Sequence, residues 1–462
     1  MHKCTLRFAF RGIRLGLALM IPEVRGPKTA FMLTYTRPKA SQTPVLYLCW
    51  LTSMAGGTSL ETHAAGRSTT GFKDLQPHLS QLQSTTDFQS SVSSQHPRNQ
   101  ARGYIQAKMT HSTDPELILN AGIHDQRLAL KFIQRHIRSF GGDPDNVSIA
   151  GQSAGAGAVA LHLTARSANP AERLFRRAVV QSWYRPPFLL PAARKEKWET
   201  VANSVGCPTN SSTVAHTLEC LGKLTPFNLC KPRMMRTGVL GAWLPVIDHT
   251  LFRSNPASIL NAIPGVDVIV GHTTADSVAG GTFEAAVNAT LKAMYVEAGI
   301  TEENMAKFGL GEAVFRCGTH LLANLYGPRA HTYRWDEPDP ANPASAGHSS
   351  DNYILYEGSR TLSNGTGEFH ALTPAQRGLS DETIAYFTSF YATAEPKAAN
   401  TSSASHPMWP AHSSGKRIVF RAEGGGTGKI QGTPGASFIE ELDQGETERC
   451  KVWNSMADRA GM

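Results

Sequence analysis

The heptapeptide GQSAGAG occupies residues 151–157, and the reading of its one serine, Ser153, decides the fold. Taken alone, Gly151-Gln152-Ser153-Ala154-Gly155 is a flexible loop that contains a serine, since both residue types are common. Its flanks change that reading. Upstream, Ala129, Ile133, Ile137 and Phe140 recur at helical spacing, Leu130 and Phe132 widen the apolar stripe, and Gly141-Gly142 with Pro144 ends the helix. A short β run from Val147 to Ala150 then enters the heptapeptide directly, and the small and apolar residues from Ala154 to Leu163 suit a buried helix. The serine therefore sits at a strand-to-helix turn. There the glycines have a physical use: lacking side chains, they let strand and helix approach while the serine is held in a strained turn with its hydroxyl exposed. The N–H of Ala154, next in the chain and at the helix start, is then a donor for an oxyanion.

Composition narrows the surroundings of that serine. A chain of 462 residues with 41% hydrophobic content builds a sizeable core. Its formal charge of +8 comes from 45 basic and 37 acidic residues scattered without a long basic run, which argues against nucleic acid or a membrane surface as partner. The first residues are basic and lead into the apolar run Leu15 to Ile21, a weak imitation of a secretory signal that lacks the small-x-small cleavage pattern. The run is too short to span a bilayer. Glycosylation sequons at Asn210, Asn288, Asn364 and Asn400 support an extracellular protein; Asn146 begins another but abuts the strand before Ser153. Seven cysteines without C-x-x-C spacing speak against zinc, so no metal is expected, and their odd number leaves a free thiol if the others pair.

The N-terminal quarter is different in character. LTYTRPKASQTPVLYLCW, 33–50, reads as two β-rich runs around a Pro/Lys/Ser turn. From 51 to 113 the chain is rich in Ser, Thr, Gln and His and poor in large aliphatics, which reads as loop or disorder. Residues 1–113 are thus taken as a divergent N-terminal part, and 114–462 as a catalytic region that forms one domain with the early strands.

The stretch NAGIHDQRLALKFIQRHIRSFGGDPDNVSIAGQSAGA, 120–156, closely resembles the segment leading to the active serine in the type-B carboxylesterase family, which includes cholinesterases and fungal esterases and lipases. Further pieces follow in family order: LFRRAVVQSW, LPVIDHT, VIVGHTTADS, FRCGTHLL, HSSDNYILY, MWP and CKVW. The resemblance implies an α/β-hydrolase fold, with a central mostly parallel sheet flanked by helices and lid-like helical excursions. It also implies hydrolysis of small-molecule carboxylic esters with no cofactor.

In this fold the catalytic partners come in the order serine, acid, histidine, because a hydroxyl needs a base and the base needs an acid to hold its tautomer. The family's acid position falls on Asp276 in GHTTADS, where glutamate is usual and the flanking residues have become Ala275 and Ser277. An aspartate is one methylene shorter; the alternative reading is a turn-capping residue. Of 17 histidines, His348 stands where the family has its base, with His370 as nearest rival. The interval from Asp276 to His348 is short for the family, which a deletion near 284–310 explains. By the same resemblance Cys207 pairs with Cys220 and Cys317 with Cys450, leaving Cys4, Cys49 and Cys230.

One family feature is missing. The early strand is normally followed by a histidine and a glycine run whose N–H groups complete the oxyanion hole, whereas here WLTSMAGGTSLE follows. Gly56 and Gly57 read first as an ordinary turn and second as substitute oxyanion donors. EGGGTGKI, 423–430, imitates a phosphate loop but lacks its first glycine and its final Ser/Thr, and reads as a surface loop. The expectation is an ester hydrolase working through Ser153, His348 and Asp276, impaired by loss of the glycine segment. The alternative is a non-catalytic binding or adhesion protein on the same fold. The oligomeric state is not legible.

Overall fold

The structure, a computed structural model, describes residues 31–35, 46–50, 120–140, 142–165, 172–183, 202–207, 262–276, 311–340, 345–356, 359–361, 367–398, 406–422 and 437–455, with single positions among 199–252, at 293 and 296, and at 343. The chain divides after Ala30 into two units, and every described residue lies in the second. Gly56, Gly57, Cys4, Cys230, the sequons at Asn210, Asn288, Asn364 and Asn400, the boundary near 113 and the loop 423–430 lie outside the described residues.

β1 (Phe31–Tyr35) and β2 (Leu46–Trp50) pair antiparallel, the hairpin that the β-rich runs suggest. The helix before the serine, α1 (Ala121–His136), continues as a 3-10 turn to Phe140, and β3 (Ser148–Gln152) follows. After Ser153 comes α2 (Ala154–Thr164), then β4 (Arg177–Gln181) and β5 (Asp267–Thr273). A π-helical turn, Glu312–Arg316, opens into α3 (Cys317–Tyr326) and β6 (Ala330–Trp335). Next are α4 (Ser350–Leu355), the small hairpin of β7 (Ser359–Thr361) and β8 (Gly367–Phe369), and α5 (Pro374–Thr393), which Thr373 and Gln376 start with a reciprocal capping box. β9 (Lys416–Phe420), β10 (Phe438–Glu441) and α6 (Gln444–Ser455) close the described chain.

β3, β4, β5, β6 and β9 lie side by side in that order and run parallel, with β10 antiparallel at the β9 edge. Both faces of this sheet are buried, as its uninterrupted apolar strands require. Alternation along the strands sorts the residues: Ala178, Val180, Val268 and Val270 pack with α1, α2 and α3, while Val179 and Ile269 face the layer of α4 and α5. Parallel neighbours all end at one edge, so β3, β4 and β5 deliver Gln152, Ser182 and Thr273 to the same side of the molecule.

Two bridges fix the periphery. Cys207 joins Cys220 with 5.6 Å between Cα atoms, and Cys317 joins Cys450 with 4.8 Å, tying α3 to α6. Among the described residues no helix is long and apolar enough to cross a membrane.

The approach of β3 to α2 is the tightest constraint. A Cβ added at Gly151 would stand 2.3 Å from the carbonyl carbon and oxygen of Gly155 and 2.8 Å from the nitrogen of Ala156. Those are backbone atoms and cannot swing away. Gly151→Ala is expected to destabilise the protein by about 3 kcal/mol, read as a lower urea midpoint at unchanged denaturant slope.

Candidate active site

Ser153 adopts φ 55° and ψ −118°, a backbone region that non-glycine residues occupy only under strain. The strain is held by hydrogen bonds on both sides: Ser153 N–H donates to the Gln181 carbonyl at 2.9 Å, and Gly157 N–H donates to the Ser153 carbonyl at 3.0 Å. One anchors the turn to β4 and the other starts α2. Ala154 is the first residue of that helix, so its N–H has no acceptor within the helix and lies at the positive end of the helix dipole.

The serine hydroxyl donates to His348 Nε2 at 2.7 Å, and His348 Nδ1–H donates to Asp276 Oδ1 at 2.6 Å. The three side chains come from the turn after β3, the turn after β5 and the loop before α4. His370, by contrast, is exposed, with its ring 6.2 Å from that of Tyr353.

The loop carrying His348 is drawn onto the turn carrying Asp276. Ala275 N–H donates to the Ala346 carbonyl at 3.0 Å, and Ala275 and Gly347 form a β-bridge. This direct backbone pairing holds the two segments side by side where Asp276 meets the imidazole. Asp276 also caps its own turn, because Oδ2 accepts the Thr273 N–H at 2.7 Å. One carboxylate oxygen thus caps the turn while the other accepts from His348.

Two contacts were not anticipated from the sequence. Ser182, just beyond β4, donates its hydroxyl to Asp276 Oδ2 at 2.7 Å. Its own N–H donates to the Gly271 carbonyl at 2.7 Å, and its φ is 51°, so the backbone is bent to deliver the side chain. Gln152, on β3, donates from its amide to Ser349 Oγ at 2.8 Å and stands 3.3 Å from His348 Nε2. The available signal was position: both residues sit at the carboxyl ends of parallel strands, where sheets of this kind place their sites.

Electrostatically, two buried aspartates are pushed apart. Burial would raise the Asp276 pKa, but the hydrogen bond and charge of His348, the Ser182 hydroxyl and the Thr273 N–H outweigh it and hold the carboxyl below its ordinary value. Asp351 is raised, chiefly by burial and further by the charge of Asp276, against the hydrogen bonds it accepts from Tyr333, Asn352 and Gln181. The Tyr333 hydroxyl reaches Asp351 at 2.9 Å because its ring fills the space a side chain at Gly271 would need. A strained serine, a hydrogen-bonded imidazole and a carboxylate kept charged are groups that can serve as a nucleophile, a base and an orienting acid.

The family model described as "Carboxylesterase family" matches residues 109–306. Bovine (Bos taurus) thyroglobulin is 35% identical over 175 residues, covering 36% of this chain and 6% of the relative. Cholinesterase 2 of Branchiostoma lanceolatum is 33% identical over 193 residues, covering 40% of this chain and 55% of the relative. Carboxylesterase patB of Aspergillus clavatus is 34% identical over 163 residues, covering 34% and 28%. The chain thus spans from 6% to 55% of the length of these curated relatives. The crystal structure of Aspergillus niger EstA superposes with a TM-score of 0.56 at 24% identity, covering 74% of this chain and 70% of that one, which bears on the fold. The parallel sheet with its flanking helices is an α/β-hydrolase fold, and over residues 109–306 the chain is similar to the carboxylesterase family.

Proposed function

We propose that the protein hydrolyses small-molecule carboxylic esters through an acyl-enzyme on Ser153. The observation that carries this reading is the hydrogen-bonded chain from Ser153 through His348 to Asp276, with the serine on a strained strand-to-helix turn. Ser153 Oγ attacks the ester carbonyl while His348 Nε2 takes its proton, and the same nitrogen returns the proton to the leaving alcohol. Water then repeats the sequence on the acyl group. Asp276 holds the ring with Nδ1 protonated and stabilises the imidazolium, and the Ala154 N–H faces the developing oxyanion.

The oxyanion hole is the weak part of this machinery. Only the Ala154 N–H is assigned, since the family's glycine run is absent after β2 and Gly56-Gly57 is a poor replacement. Missing donors cost about 100- to 1,000-fold each in turnover, so the chain as written is proposed to be a poor esterase. The two bridges and the sequons support an extracellular location, where disulfides persist.

Hydrolysis of p-nitrophenyl esters tests the reading. The expected result is slow turnover that Ser153→Ala abolishes and that rises at least ~100-fold when 50–113 is replaced by a glycine-containing segment of the family type. No turnover from either chain would favour the non-catalytic alternative, and equal turnover from both would show that the hole is already complete.

Asp276 also makes a stability prediction. A carboxyl held below its unfolded pKa stabilises the fold above that unfolded value, about 3.9, and the contribution is lost as the pH falls through the folded value. Asp276→Asn should therefore be less stable than the parent in urea at pH 7, with the gap narrowing below about pH 4.

A further inference from the structure

The base has a neighbour that the reaction scheme does not use. The Phe315 ring lies against the imidazole of His348, 4.7 Å between centroids at an interplanar angle of 39°, and Phe315 is 1% exposed. It reaches that place from the π-helical turn Glu312–Arg316, in which Cys317 N–H donates to the carbonyl of Glu312, five residues back. A π turn inserts one residue into the helical repeat and so re-aims the side chains next to it, and such turns are frequent at functional sites.

The turn is fastened to α6 by several interactions, among them an ion pair of Arg316 with Glu446 at 3.7 Å. The Glu312 carboxylate is completely buried and accepts a forked pair from Arg449, Nε at 3.0 Å and Nη2 at 2.7 Å to Oε1. Cys317, the next residue after the turn, is bridged to Cys450 beside Arg449. Asn454 donates to the Cys317 carbonyl at 3.2 Å. Such anchoring is more than a surface helix needs, and it converges on the one turn that carries the ring against His348.

We infer that Phe315 is a positioning residue for His348, held against the imidazole by a π-helical turn that the C-terminal helix α6 clamps. The Asp276 hydrogen bond fixes the Nδ1 end of the ring but leaves rotation about that bond open, and an aromatic face packed on the imidazole restricts it. Nε2 then stays on the line to Ser153 Oγ.

The inference rests on the esterase reading for its kinetic consequence, so the test pairs turnover with a signal that needs no turnover. In histidine-labelled protein the His348 ring resonance, identified by its loss in His348→Gln, is displaced by the ring current of Phe315. Phe315→Met, similar in volume and without a ring, should move that resonance toward the position of exposed histidines. It should also lower kcat about tenfold with KM nearly unchanged. Arg449→Lys keeps the charge but loses the fork, and should move both quantities in the same direction by less. A resonance that stays in place in folded Phe315→Met, or an unchanged kcat, overturns the inference; if Phe315→Met does not fold, Arg449→Lys decides in the same way. A change in Phe315→Met with none in Arg449→Lys overturns the clamp. A moved resonance in a protein without Ser153-dependent turnover overturns the esterase reading and leaves the positioning role supported.

Discussion

The carboxylate of Asp276 is the point on which the site is hung. It is 1% exposed, and a charge so buried survives only if its oxygens are bonded and a counter-charge is near. Each partner comes from a different part of the chain: His348 from the loop before α4, Ser182 from the end of β4, and Thr273 from the end of β5. Satisfying this one group therefore brings together three segments that are distant in sequence, and His348 carries the linkage on to Ser153 at the end of β3. Removing a partner would leave a buried charge unmet, which is why the arrangement is stiff.

A second constraint works on Ser153. β3 and α2 come so close at Gly151 that only glycine fits, and the chain between them has to turn through a strained conformation at Ser153. The strain is a cost that local hydrogen bonds and the packing of α2 on the sheet offset. Its return is geometric, since the hydroxyl projects from the sheet edge toward His348. Beyond the site, β5 is also tied to the C-terminal elements: Arg417 lies 3.1 Å from His272 and bonds both Glu446 and Glu440. His272, pushed down to about 3 by burial and by Arg417, stays uncharged in that cluster at neutral pH.

How much of this was legible in the sequence depended on how local the signal is. The helix, strand, turn and helix around Ser153 follow from periodicity and from glycines within some forty residues, because each depends on neighbours along the chain. The cysteine pairs are implied by family resemblance and not by spacing, since Cys317 and Cys450 stand 133 residues apart. Ser182, Gln152 and Phe315 gave no comparable signal. Their roles exist only once parallel strands end at a common edge and a π turn re-aims a ring, and neither register nor turn type is written in residue identity. Asp276 shows a further limit: one residue both caps its turn and bonds His348, a combination that a choice between alternatives does not contain.

The central claim is that Ser153, assisted by His348, is a nucleophile. Its most direct measurement is labelling of the purified protein with a fluorophosphonate followed by mass spectrometry of the digest, since the reagent requires only an activated serine and no complete turnover. The account predicts a single adduct on the peptide containing Ser153, lost in His348→Gln although Ser153 is still present. An unlabelled protein, an adduct on another serine, or labelling indifferent to His348 would contradict it.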